Sequence, residues 1–316
     1  MAMTSKPRVV VLAALPALGF DLLRLRFDVA AGGPRVDSGW LREHTPGAAG
    51  IVADPSIPVG PELMDAAGTS LKVVSNFGVG YDNIDIEAAR ARGVRATNTP
   101  GVLTNATAEL AVALMLAAGR RIAEADAMIR GDRWSGSQEN ILGRELAGAT
   151  VGLVGFGRIA QRVAALLGPF EVRLLCSSRS SGPVRGAERL ALDDLLAESD
   201  FVSLHVPLTP ETRHLVDANA FAKMKRGAIL VNTSRGAVVD TQALIDALRS
   251  GRLAAAGLDV YEDEPHVPPG LCDLPNTVLL PHIGSATAAT RDAMARLCAE
   301  NVIAVIDGQE PPAAVG

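Results

Sequence analysis

Three residues in this 316-residue chain have the types that a proton-coupled reduction needs: Arg235 in "VNTSRGAVVD", Glu264 in "AGLDVYEDEP" and His282 in "LLPHIGSAT". A histidinium is the natural acid at neutral pH. A carboxylate beside it fixes the ring and favours the charged imidazolium. A guanidinium grips a carboxylate as a fork and polarises a nearby carbonyl. Together they suit the reduction of a 2-oxo acid, with hydride going to the carbonyl carbon and a proton to its oxygen. Taken singly, each has a plain alternative: a surface arginine after a strand, a solvated acidic turn, a structural histidine before a helix.

What sets them apart is where the elements place them. Short apolar runs alternate with helical stretches along nearly the whole chain: "RVVVLAA", "GIVAD", "LKVVSN" and "VRATN" early, then "TVGLVG", "EVRLLC", "FVSLHV", "AILVNTS", "AAAGLDV" and "NTVLLP". Runs apolar on both faces, alternating with helices, predict parallel sheets covered on two sides. A long amphipathic helix is expected from Thr104 to about residue 130. The expected fold is therefore α/β, with two doubly wound parallel-sheet domains discontinuous in sequence. Residues 1–98 and 285–316 are expected to form a substrate-binding domain, and 99–284 a dinucleotide-binding one. Arg235, Glu264 and His282 each follow the end of a strand, where open parallel sheets bind their ligands.

The segment "TVGLVGFGRIAQRVAALLG" reads as a strand, a turn of Gly155, Phe156, Gly157, Arg158 and Ile159, and a helix. The first glycine permits the turn and the second admits a pyrophosphate to the helix N-terminus; Ala160 takes the third, packing position. A glycine pair alone is weak evidence, but this context predicts a dinucleotide. An acid about 20 residues on would select NAD through the ribose 2′-hydroxyl. Here the next strand ends instead in Ser178, Arg179 and Ser180. A guanidinium and hydroxyls suit a 2′-phosphate, so NADPH is the expected cofactor, with NAD less favoured.

Bulk properties exclude other classes. With 48% hydrophobic and 21% charged residues the chain is no disordered protein, and a net charge of −5 without basic blocks argues against nucleic acid or anionic membranes. Cys176, Cys272 and Cys298 are too few and scattered for a disulfide framework or a metal site, and no metal is expected. The start, "MAMTSKPRVVVLAALPALGF", faintly imitates a signal peptide. Pro16 interrupts the run, and a cytoplasmic protein built on a first strand here is the expectation.

Combined, "VGLVGFGRIAQRVA", "VNTSRGAVVD", "AGLDVYEDEP" and "LLPHIGSAT" resemble the signatures of the D-2-hydroxyacid dehydrogenases. "VVSNFGVGYDNIDIEAARARGVRATNTPGVLTNATAELAVALML" resembles that family's substrate loop and hinge. The resemblance covers roughly residues 70 to 308 and is strongest to NADPH-dependent glyoxylate/hydroxypyruvate reductases, including hydroxyphenylpyruvate- and 2-ketogluconate-reducing branches. It implies a Rossmann cofactor domain and a smaller flavodoxin-like substrate domain. It implies that Arg235 binds substrate, Glu264 orients His282, and His282 donates the proton. The backbone at Val79 and Gly80 would receive the substrate carboxylate. Thr233 and Asp259 would line the cofactor site, with Phe156 to Ile159 on the phosphates and Ser178 to Ser180 on the 2′-phosphate. A homodimer built on the long helix is implied, with Trp134 either reaching the partner's site or simply packing. The serine–arginine strand end departs from NAD-dependent D-lactate and phosphoglycerate dehydrogenases, and Glu264 departs from formate dehydrogenases, which carry glutamine there.

Two other classes compete. A dinucleotide-sensing binding protein, like the family's corepressors, would bind cofactor without turnover. A methyltransferase using S-adenosylmethionine also has a glycine-rich turn, but usually wants an acid at the end of its second strand.

Overall fold

A computed structural model describes residues 6–136, 141–179, 182 and 184–315. The chain forms two compact units, Met1–Leu103 with Ser285–Gly316, and Thr104–Gly284. The expected first break at residue 99 lies short of this one, because Thr99 N–H donates to Gly78 O at 3.0 Å and ties its stretch to the first sheet. Among the described residues no helix is long and apolar enough to cross a membrane.

The first unit carries β1 (Arg8–Val11), β2 (Asp28–Ala31), β3 (Ala48–Ala53), β4 (Val73–Asn76), β5 (Arg95–Thr97) and a late β13 (Ala314–Val315). Their order is β13-β5-β4-β3-β1-β2, parallel except for β13, which runs antiparallel to β5. β1, β3 and β4 are buried along nearly their whole length, as strands covered on both faces must be. The helix Ala288–Ile306 covers this sheet: a Cβ on Gly50 of β3 would lie 3.2 Å from Val302, so glycine allows the close approach. Asn301, fully buried, donates to Asn98 O (3.0 Å) and accepts from Ala313 N (3.1 Å), stitching the last turn of chain to β5.

The second unit carries β6 (Thr150–Val154), β7 (Arg173–Ser177), β8 (Glu188–Arg189), β9 (Phe201–Leu204), β10 (Ala228–Asn232), β11 (Leu253–Leu258) and β12 (Thr277–Leu279). The order is β12-β11-β10-β9-β6-β7-β8, all parallel, so the direction of winding reverses between β6 and β9. This is the dinucleotide-binding topology, with its ligand crevice at that reversal outside the carboxyl ends of the strands. Leu153, Leu195, Phe201 and Leu230 lie in its core, each worth roughly 1.5–3 kcal/mol of apolar transfer.

The expected long helix is two helices, Thr104–Gly119 and Ile122–Arg130. Gly119 O accepts from Arg144 N at 2.7 Å, and Arg121 takes a left-handed conformation (φ 53°) with its guanidinium on Glu124. A tertiary hydrogen bond thus ends a helix that the local sequence would continue.

Candidate active site

Gly155, straight after β6, sits at φ +87°, a conformation only glycine adopts without strain. A Cβ there would also press within 2.7 Å of His205 O. Gly157 begins the helix Arg158–Leu167 with no side-chain cap, leaving the first amides for a ligand, and a Cβ on it would meet nothing within 4 Å. Ala160 is fully buried against the strand. Phe156 and Ile159 are half-buried, and Arg158 is exposed at the helix start.

At the end of β7, Ser178 is half-buried and Arg179 exposed, with no carboxylate in the stretch. Arg179 lies near enough to Glu211 for its charge to help hold that carboxyl low, after the Thr209 hydroxyl bond and a backbone N–H. Ser180 lies outside the described residues.

Three neighbouring loops carry the titratable cluster. Beyond β10, Asn232 Oδ1 accepts from Ser234 N (3.0 Å) and Oγ (2.8 Å), while its Nδ2 donates to Arg235 O (2.9 Å). This Asx turn sets the Arg235 backbone. Gly236 follows because a Cβ there would run into the backbone of Tyr261 and Glu262. Beyond β11, Glu264 Oε1 accepts from Tyr261 N at 2.9 Å. Tyr261 is itself bolted by its hydroxyl to Leu280 O at 3.0 Å, and burial pushes its phenol up to about 12.

Beyond β12, His282 Nδ1 lies 2.7 Å from Glu264 Oε2. Burial opposes the charge on Glu264, but the His282 bond and charge, the Tyr261 N–H and the Arg235 charge together hold its carboxyl below the usual range. Glu264 is therefore an anion at neutral pH, Nδ1–H is the donor, and Nε2 stays open on a ring 42% exposed. His282 holds a left-handed conformation (φ 54°), a strain of roughly 1–3 kcal/mol of the kind found at functional sites. Asp259, 1% exposed, fixes that loop by accepting from Ile283 N (2.7 Å) and Gly284 N (2.8 Å). Its burial raises its carboxyl, against those two bonds and the His282 charge.

Arg235, Glu264 and His282 thus share one edge of the second sheet, with Glu264 bonded to His282 and within electrostatic reach of Arg235. The buried Thr233 Oγ1 has no hydrogen-bond partner among the described residues. That orphan, the uncapped helix and the open face of Gly157 are what a dinucleotide would use, so the residues present fit one. Among the described residues no cluster of three metal-ligating side chains occurs.

Residues 112–284 match the D-isomer specific 2-hydroxyacid dehydrogenase family, NAD binding domain. The chain belongs to that family. This dehydrogenase is 46% identical over 321 residues to a glyoxylate reductase of Thermococcus litoralis, covering 97% of this chain and 96% of that protein. It is 43% identical to a glyoxylate reductase of Pyrococcus furiosus, covering 98% and 95%. Among solved structures, the TT0316 protein of Thermus thermophilus superposes with a TM-score of 0.92 at 46% identity, covering 98% of this chain and all of that one. An NADPH-dependent glyoxylate/hydroxypyruvate reductase of Sinorhizobium meliloti, solved with NADP and malonate, gives 0.89 at 34% identity, covering 99% and 97%.

Sequence reading of the dehydrogenase did not single out Asn232, Gly236 or Tyr261. Asn232 carried a legible signal, an asparagine closing an apolar strand before a turn. Gly236 and Tyr261 act through a backbone approach and a hydroxyl bond that only the fold reveals. Val79 and Gly80 lie in the first unit, in the loop after β4, where Asn98 Nδ2 donates to Val79 O at 2.7 Å. Trp134, past the helix Ile122–Arg130, is 56% exposed.

Proposed function

We propose that this dehydrogenase uses NADPH to reduce a small 2-oxo acid of the glyoxylate or hydroxypyruvate type to the D-2-hydroxy acid. The observation that carries the reading is the 2.7 Å bond between His282 Nδ1 and an anionic Glu264. The dinucleotide supplies the hydride. Glu264 keeps the imidazolium's Nδ1–H engaged, so the proton on Nε2 is the one His282 gives to the carbonyl oxygen. Arg235 binds substrate and polarises the carbonyl, and the Val79 and Gly80 backbone receives the substrate carboxylate. The amides from Phe156 to Ile159 take the phosphates, Thr233 and Asp259 line the cofactor site, and Ser178, Arg179 and Ser180 take the 2′-phosphate.

Two features support NADPH over NADH: β7 ends without an acid, and the S. meliloti relative is described as NADPH-dependent. The names of the archaeal relatives support glyoxylate. Initial rates with NADPH and NADH against glyoxylate, hydroxypyruvate, hydroxyphenylpyruvate and 2-ketogluconate test the reading. It expects NADPH to be favoured tenfold or more with one of the first two acids. Tight cofactor binding with no turnover on any acid would instead mark a dinucleotide sensor.

We also propose a homodimer built around the exposed Ile122, Ile129 and Trp134, apolar side chains that water solvates poorly. Sedimentation equilibrium at the dimer mass is the expected result.

A further inference from the structure

The loop after β4 is an unusual stretch of backbone. The carbonyls of Gly78, Val79 and Gly80 all accept hydrogen bonds, from Thr99 N, Asn98 Nδ2 and Asn76 Nδ2 respectively. The N–H groups of the same three residues find no acceptor among the described residues. Three successive amide donors without acceptors among the described residues, their own carbonyls already tied back, are available to an anion.

One residue before this run, the buried Phe77 carries a guanidinium over its ring: Arg291 Cζ lies 5.4 Å from the ring centroid. Arg291 stands in the first turn of the helix Ala288–Ile306, where the helix dipole disfavours a cation. It is half-buried, yet its five N–H donors make no hydrogen bond or ion pair among the described residues. Asp54 is the nearby opposite charge, but its Oδ1 is taken by Ser56 N (3.0 Å) and Ser56 Oγ (2.7 Å). Burial accordingly pulls the Arg291 guanidinium below its usual range, with Asp54 opposing only through space. A desolvated, unpaired cation at the wrong end of a helix is costly on every count, and an incoming anion relieves all of them.

We infer that Arg291 is a substrate-binding residue: its guanidinium and the amides of Gly78 to Gly80 together take the carboxylate of the 2-oxo acid. The inference rests on the reductase reading above and adds a charged partner to what was there a backbone site alone. Phe77 holds the cation over its ring face, a contact that lysine copies only in part although it keeps the charge.

The test uses the whole enzyme and oxalate, a non-reducible planar carboxylate. Oxalate affinity is measured by calorimetry for wild type, Arg291→Met and Arg291→Lys, alongside kcat, KM for hydroxypyruvate and NADPH affinity. Expected are a tenfold or greater loss of oxalate affinity and a similar rise in KM for Arg291→Met. Its kcat stays within threefold and NADPH affinity is unchanged, and Arg291→Lys recovers most of the loss. Arg291→Gln replaces the methionine variant if that one melts early. Oxalate affinity within twofold of wild type in the neutral variant would overturn the inference, as would equal losses in kcat and KM that lysine does not restore. Wild type that turns over no 2-oxo acid would sink the reductase reading alone, since the oxalate titration judges Arg291 without turnover.

Discussion

The two units place a central strand, a turn and a helix in the same topological position and fill it differently. In the first, β1 runs into Leu12, Ala13 and Leu15, all buried, and Pro16 opens the helix Ala17–Arg24. In the second, β6 runs into Gly155 and Gly157, and the helix opens uncapped towards free space. Both crossovers cover a parallel sheet equally well. Neither helix has a side-chain cap, but Leu15 packs against Gly19 in the first turn of the first. Nothing stands in front of Gly157 in the second, and only such open amides can meet a phosphate. The winding is common to both, and a few residues at the strand ends decide what each can bind.

That contrast can be broken in four places. His282→Ala should lower kcat by about 10²–10⁴ while NADPH affinity stays within threefold, since proton donation and cofactor binding sit on different loops; stopped-flow reduction and cofactor titration measure both. Near-normal turnover would leave the second edge without its assigned chemistry. Arg179→Ala should weaken NADPH about tenfold to a hundredfold and leave NADH unchanged, by loss of a charge-assisted bond worth roughly 1.5–3 kcal/mol. An equal loss for both cofactors would mean Arg179 does not read the 2′-phosphate.

Gly157→Ala sharpens the comparison further. A Cβ there meets nothing in the protein, so the apo melting temperature should hold while NADPH affinity falls about tenfold by steric exclusion of the pyrophosphate. A variant that melts early instead would make the glycine a folding requirement. The smallest effect concerns Glu264. Its carboxyl sits below the ordinary 4.5, so the stability it contributes is present above that value and is lost as pH falls through its lower folded value. The melting temperatures of wild type and Glu264→Gln should therefore differ at pH 7 and converge on acidification. A gap that widens in acid contradicts the sign.

Much of this was legible because it rests on patterns that residue types display. The doubly wound sheets follow from buried runs such as Val9–Val11 and Leu230–Val231. The positions of Arg235 and His282 follow from strands ending just before them. What stayed hidden has a shared cause. β2 is half-exposed at a sheet edge and only four residues long, with a charge at Asp28 and a short Val-Ala-Ala run, and β8 and β13 are two residues each. The break at Arg121 depends on Arg144, 23 positions away in sequence. The amides of Gly78 to Gly80, without acceptors among the described residues, have no side-chain signature. Arg291 looks like any helical arginine until its lack of a hydrogen bond or ion pair among the described residues is seen.

The stretch from Ser285 onward belongs to the first unit although the entire second unit is spelled out before it. During synthesis, β1, β3, β4 and β5 leave the ribosome without the helix that shields one face, whereas residues 104–284 are complete in one continuous pass. The inserted unit is therefore free to mature first, and a nascent chain halted near residue 284 should show a protease-resistant insert flanked by a sensitive leading segment. Unit one closes last, when its final helix emerges and Asn301 reaches Asn98.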